Sequence, residues 1–217
     1  HLSVAALVGK GIVQPGVVDT HVVFGALTGA ITWNLITWYY GIPSSSSHAL
    51  IGGIVGAVMA KSGASVLIGA GIFKTVAFIF ISPLLGFLFG SLMMVAVAWI
   101  FRRTRPSHVD KWFRRLQLIS AGAYSLGHGG NDAQKTIGII WMLLIATGYT
   151  AAGDAMPPLW TIVSCYVAIA LGTVGSAQRA SAVRWGVAGN IVWAWILTIP
   201  ASAFVAALAY WVSLQLY

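Results

Sequence analysis

Apolar residues along this chain come in long blocks separated by short polar stretches. A helix needs about 20 largely apolar residues to cross the hydrocarbon core of a bilayer. Residues 20–40 meet that length and end in Trp38, Tyr39 and Tyr40, an aromatic cluster of the kind that gathers at a lipid–water interface. Gly41 and Pro43 then predict a helix break. The block at 48–60 is too short to cross, which predicts a half-helix or re-entrant segment. Residues 66–101, with Lys74 and Pro83 inside, are long enough for two spans or one long bent helix. A basic loop is expected at 102–115. The block at 116–148 is interrupted by GHGGNDAQK at 127–135, where the pattern predicts two half-helices meeting at a polar break. A polar turn from Gly148 to Pro158, a span at 159–173 and a last run at 183–214 with Pro200 inside follow.

The expected fold is therefore all-α, a polytopic transmembrane helical bundle with broken or re-entrant helices. A faint internal echo relates FIFISPLLGFLFG (78–90) to WAWILTIPASAFVA (193–206), with Pro83 and Pro200 in matching places. Inverted repeats with broken helices in corresponding positions are a common transporter plan. The organisation expected is a first-repeat part at 1–101, a basic cytoplasmic loop at 102–115 and a second-repeat part at 116–217. The first echo member follows a serine-rich half-helix and the second does not, so a segment is expected to be missing near 173–181. The opening from His1 reads as the tail of a helix already under way, with no signal-peptide order, which predicts an upstream part.

Composition agrees with the pattern. The chain is 59% hydrophobic and 7% charged, against about 25% charged in soluble domains, so lipid is the solvent facing most of it. There is no glutamate; the acids are Asp19, Asp110, Asp132 and Asp154. The net charge of +8 would suit nucleic acid, but its distribution points elsewhere. Arg102, Arg103, Arg105, Lys111, Arg114 and Arg115 crowd one stretch between apolar blocks, as the positive-inside rule expects of a cytoplasmic loop. Cys165 is the single cysteine, so no internal disulfide forms.

Two polar motifs carry the chemistry. In GIPSSSSH (41–48), Pro43 suits a helix start and the serines set hydroxyls beside free backbone N–H groups, an end that attracts anions. The plain alternative is a serine-rich loop with an ordinary N-cap. In GHGGNDAQK, Asn131 and Gln134 supply amide donors and Lys135 a positive charge. Asp132 would repel an anion unless it held a cation or proton, so an anion and a coupling cation side by side is the coherent arrangement. The alternative is an interfacial loop capped by Asp132. Lys74 reads as a snorkelling residue, Asn34 and Asn190 as interhelical hydrogen-bond formers, and Arg179 and Arg184 as interface anchors. His48 and His128 read as hydrogen-bonding walls of the site. No G-x-S-x-G elbow and no metal-ligand spacing occurs, so neither an enzyme nor a bound cofactor is expected.

WNLITWYYGIPSSSSHALIGG (33–53) and SLGHGGNDAQKTIGII (125–140) together resemble the inorganic phosphate transporter (PiT) family, and GNIVWAWILTIPAS (189–202) is similar to its final helix. The resemblance implies two inverted repeats and import of phosphate with Na+ or H+, or as a metal–phosphate complex, across a cell membrane, the bacterial inner membrane. It implies Ser45, Ser46 and Ser47 as phosphate or ion ligands, Asn131 and Asp132 for ions and phosphate, and Gln134 and Lys135 near phosphate. The coupling cation, Na+ included, is assigned to Asp132 with Asn131 and Ser46. The family's first N-D motif and second serine motif are missing, so this reads as an incomplete copy. The lipid bilayer is the surrounding partner, and a homodimer is admitted. An anion channel and a transporter of sulfate or another oxyanion stay open. A phosphate-ester enzyme would need a nucleophile and base in reach, and a structural subunit would leave the clustered polar residues unexplained.

Overall fold

In the computed structural model the described residues are 6, 8, 11–14, 16–151, 153–176 and 188–216. Six α-helices run through them: α1 (Thr20–Tyr39), α2 (Ser46–Ser62), α3 (Gly69–Phe101), α4 (Pro106–Ala146), α5 (Leu159–Ser176) and α6 (Ala188–Leu216). Among the described residues there are no strands, only one bridge, between Val13 and Leu67 ahead of α3. The all-helical expectation holds. Among the described residues, three helices are long and apolar enough to cross a membrane: Thr20–Tyr39, Gly69–Phe101 and the Ile196–Leu216 part of α6. At 17 residues α2 stays short of a crossing, as its sequence predicts. Arg179, Arg184 and much of the 173–181 gap region lie outside the described residues, as do His1 and the side chain of Asn190.

α1, α2 and α6 pack into a tight three-helix bundle, and α4 and α5 form a pair that meets it along α1. Small residues let the bundle close. A Cβ on Gly29 would stand 2.6 Å from the Ala206 Cβ, and one on Gly52 or Gly56 would strike the backbone carbonyls of Ile199 or Ala203. Gly25/Gly29 and Gly52/Gly56 are thus two G-x-x-x-G faces set against α6, the arrangement by which helix backbones approach closely when lipid removes the hydrophobic drive. Buried hydroxyls on α6 are satisfied within the helix. Ser202 donates to the Thr198 carbonyl at 2.7 Å and Ser213 to that of Tyr210 at 2.6 Å.

One open alternative closes and two local expectations change. First, of the two readings of residues 66–101 the structure takes the single long helix: α3 runs from Gly69 to Phe101 through Pro83. Proline forfeits one backbone bond, a loss membrane helices absorb without ending. Second, the basic stretch is mostly helix. The turn between α3 and α4 is 102–105, and α4 begins at Pro106, a residue pre-shaped for a first helical turn. Third, GHGGNDAQK is not a break: α4 passes through 127–135 as one helix, and none of its glycines takes positive φ. Isolated glycines cost about 1 kcal/mol each relative to alanine but do not stop a helix. The polar side chains gain from continuity, because His128, Asp132 and Lys135 meet at i,i+4 and i,i+3 only on an intact helix.

Candidate functional site

The serine motif sits at the closed end of the α1–α2 hairpin. Gly41 takes φ +65°, the left-handed conformation glycine adopts readily, and the chain reverses there. The Ile42 N–H donates to the Thr37 carbonyl at 2.8 Å and the Ser44 N–H to the Ile42 carbonyl at 2.8 Å. Buried Thr37 also shares a 2.7 Å hydroxyl bond with Ser44, so the first serine of the run holds the turn. Ser45 is the N-cap of α2, accepting the His48 N–H at 3.5 Å on its side chain and the Ala49 N–H at 3.0 Å on its carbonyl. Ser46, the first residue of α2, opens onto a cavity of about 360 Å³.

Across that cavity α4 presents Asp132, Lys135 and Thr136, and α1 contributes Asn34. Leu27, Ile31, Leu50, Ile139 and Ile140 make the rest of the wall mainly apolar. A few convergent polar groups in an apolar cleft, at the low end of the usual range of about 300–1,000 Å³, suit a small ligand. Asp132 is the electrostatic centre. One of its oxygens is in a close ion pair with the Lys135 ammonium, and the other lies 3.4 Å from His128 Nε2. His128 stacks on Tyr124 at 5.6 Å between ring centroids, which orients the imidazole. The Asp132 and Lys135 side chains keep 34% and 23% of their exposure, so ions can reach and open the pair; accessible pairs contribute at most about 1 kcal/mol.

The structure therefore brings Ser46, Asp132 and Lys135 together across one cavity. Ser45 serves as the helix cap, half-buried Ser47 and Gln134 lie off the cavity wall, and Asn131 is exposed on α4 away from it. Asn34, read from sequence as an interhelical hydrogen-bond former, joins the wall with Thr136. The signal for Asn34 was present, as a polar side chain in an apolar span. Among the described residues no group of three or more His, Cys, Asp or Glu gathers. A cation at Asp132 would complete its shell with neutral oxygens such as those of Ser46 and Asn34.

The open end of the same hairpin carries a second polar contact, not foreseen from sequence. Lys61, in the last turn of α2, donates to Asp19 at 2.7 Å and to the Val17 carbonyl at 2.7 Å. Asp19 also caps α1 by accepting the Val22 N–H at 2.8 Å. Burial pushes the Asp19 carboxyl upward, but its bonds to Lys61 and Val22 outweigh that and hold it below its ordinary value. His21 and Ser213, 3.2 Å apart, tie α1 to α6 at the same end.

Comparison with known proteins gives this arrangement its context. Residues 2–175 match the family described as Phosphate transporter family (PHO4). A probable low-affinity inorganic phosphate transporter of Rhizobium meliloti (strain 1021) is 44% identical over 265 residues, covering 96% of this chain and 79% of the relative. One of Bacillus subtilis (strain 168) is 34% identical over 268 residues, covering 96% and 80%. One of Mycobacterium tuberculosis (strain ATCC 25618 / H37Rv) is 35% identical over 268 residues and is covered over only 64% of its length. The solved structure of a sodium-dependent phosphate transporter shares the fold, with a TM-score of 0.81 at 18% identity over 99% of this chain and 85% of that one. The family match spans most of the residues, including both polar motifs, and this chain belongs to the phosphate transporter family.

Proposed function

We propose that this chain carries half of the machinery of a secondary transporter that imports inorganic phosphate with a cation by alternating access, in the bacterial inner membrane. The observation that carries the reading is the shared cavity of Ser46, Asp132 and Lys135. Asp132 and Lys135 neutralise one another. Phosphate alone would have to win the ammonium from a carboxylate that then repels it. A cation alone would have to evict the ammonium. When both arrive, the cation takes Asp132 and Lys135 turns to the anion, so each ligand removes the obstacle to the other. That reciprocity is the thermodynamic root of coupling. Ser46 and the free N–H groups of α2 supply further donors to phosphate.

Sodium is the first cation to test, because the protein sharing this fold is described as sodium-dependent; a proton on Asp132 is the other candidate. Ser45, Ser47, Asn131 and Gln134 belong to the proposal as residues a closing motion would bring to the ligand. The counterpart motifs that the resemblance implies, a first N-D motif and a second serine motif, do not occur in these 217 residues. A match 265 residues long to a chain of 217 supports an interior gap, because the relative then carries residues without counterparts here. The two-repeat organisation and a homodimer remain part of this reading.

Phosphate uptake into proteoliposomes under imposed sodium or pH gradients tests it. Accumulation above equilibrium under one gradient supports symport and names the ion. Equilibration regardless of gradient favours an anion channel, and transport of sulfate in place of phosphate reassigns the substrate. Asp132→Asn is expected to remove gradient-driven accumulation from folded protein by 100-fold or so, on the order of 3 kcal/mol of coupling. Wild-type accumulation in that variant sinks the cation role.

A further inference from the structure

The elbow between α3 and α4 has features that neither the phosphate cavity nor membrane orientation uses. Six basic residues between 102 and 115 stand against a single acid, Asp110, and Arg114 lies 3.0 Å from it. Beside them is a second cavity of about 370 Å³, lined by Phe101, Thr104, Val109, Trp112, Phe113 and Leu116. Phe101 and Phe113 meet edge to face at 5.3 Å and join the two helices at the base of this groove. Arg102 lies over the Trp99 ring at 5.0 Å, and both Trp99 and Trp112 are largely exposed.

The level of this elbow follows from helix length and from the residues at the helix end. With 33 residues, α3 is about 50 Å long, more than the roughly 30 Å hydrocarbon thickness. It cannot lie wholly within the core unless strongly tilted, and the basic residues from Arg102 with exposed Trp99 and Trp112 set this end in the headgroup layer, where tryptophans settle. A purely orienting basic loop needs charge but no adjoining apolar groove. A soluble anion would use the arginines and leave the groove empty. A molecule with an anionic head and an acyl chain fits both parts.

We propose that the α3–α4 elbow is a binding site for one anionic phospholipid. Arg102, Arg103 and Arg105 hold its phosphate through guanidinium hydrogen bonds, and one acyl chain lies along Phe101, Trp112, Phe113 and Leu116. Arginine suits the role because its planar fork matches phosphate oxygens.

The test is native mass spectrometry of the purified full chain in detergent, titrated with phosphatidylglycerol or phosphatidylcholine of identical chains. The expected result is one saturable phosphatidylglycerol and at least tenfold weaker retention of phosphatidylcholine. Replacing Arg102, Arg103 and Arg105 together by glutamine should weaken phosphatidylglycerol about 100-fold, at about fivefold per lost charge. Replacing all three by lysine keeps the charge but loses the guanidinium fork, and should weaken binding several-fold, less than glutamine does; lysine binding equal to wild type would overturn the guanidinium role. Leu116→Gln keeps every charge and should weaken binding several-fold. Equal retention of the two lipids by the wild type overturns the proposal, whatever the variants do. Unaltered binding in Leu116→Gln also overturns it, because the lipid would then be held by surface charge alone. Neither readout depends on phosphate transport, so a failed transport reading leaves this test intact.

Discussion

The α1/α2/α6 bundle and the α3–α4 arm are both apolar helices of one chain, yet they pack in opposite ways. In the bundle, backbones press together at Gly29, Gly52 and Gly56, and the cores of Ile54, Ala57 and Val58 are sealed. In α3, only Gly71 is buried, and Gly86 and Gly90 look into open space. The composition of α3 is the more apolar of the two, so hydrophobicity does not decide which helix packs. Where lipid is as apolar as a side chain, burial brings little, and close fit decides. The polar cavity lies where the packed unit meets the α4 helix of the other pair, with Ser46 on one side and Asp132 and Lys135 on the other. A ligand held there would touch both units at once.

Substitutions that add a methyl group separate the two regions, and the largest effect belongs to the bundle. Gly56→Ala drives a Cβ into the Ala203 carbonyl, and neither backbone can yield cheaply. A loss of about 3 kcal/mol is expected, seen as a fall in melting temperature on the order of 10 °C by tryptophan fluorescence in detergent. An unchanged melt would mean the G-x-x-x-G contact does not hold the bundle.

Next in size is the far end of the hairpin. Asp19→Ala removes both the α1 cap and the partner of Lys61, and should cost about 1–2 kcal/mol in the same melt. The Asp19 carboxyl is held below its ordinary value of 3.8 in the folded protein. Its contribution is therefore fully present above that ordinary value and is lost as pH falls through the lower folded one. The gap between wild type and Asp19→Ala should be constant from pH 8 to pH 5 and close below about pH 4. A gap that widened on acidification would contradict the pairing.

The smallest effects carry the opposite sign. Gly90→Ala in α3 and Gly127→Ala in α4 meet no atom within 4 Å. Both sit in helix, so alanine should stabilise by about 0.5–1 kcal/mol. Gly127→Ala is the sharper of the two, because a break at GHGGNDAQK would make it destabilising instead.

Much of the fold was legible in the apolar blocks. The first span, the short serine-headed helix and the last long helix fall where the pattern sets them, because span length and interfacial aromatics are local properties. The α4 break was misread because glycine permits a break without demanding one, and only pairing along the helix face decides. The site was legible in part. Ser46, Asp132 and Lys135 announce themselves as polar residues in apolar surroundings. Their distribution between cavity and helix cap is invisible along the chain, since neighbours in a helix turn by about 100° per residue and so face different ways.

By itself the sequence determined a membrane solvent, an all-helical chain and two polar motifs set within apolar blocks, because composition and block length are set residue by residue. Tertiary structure alone decided that Ser46 faces Asp132 and Lys135, that Asn34 joins them, and that Asp19 meets Lys61 across 42 positions. These contacts depend on how closely helices approach and in what register, which packing of small residues sets and linear spacing does not.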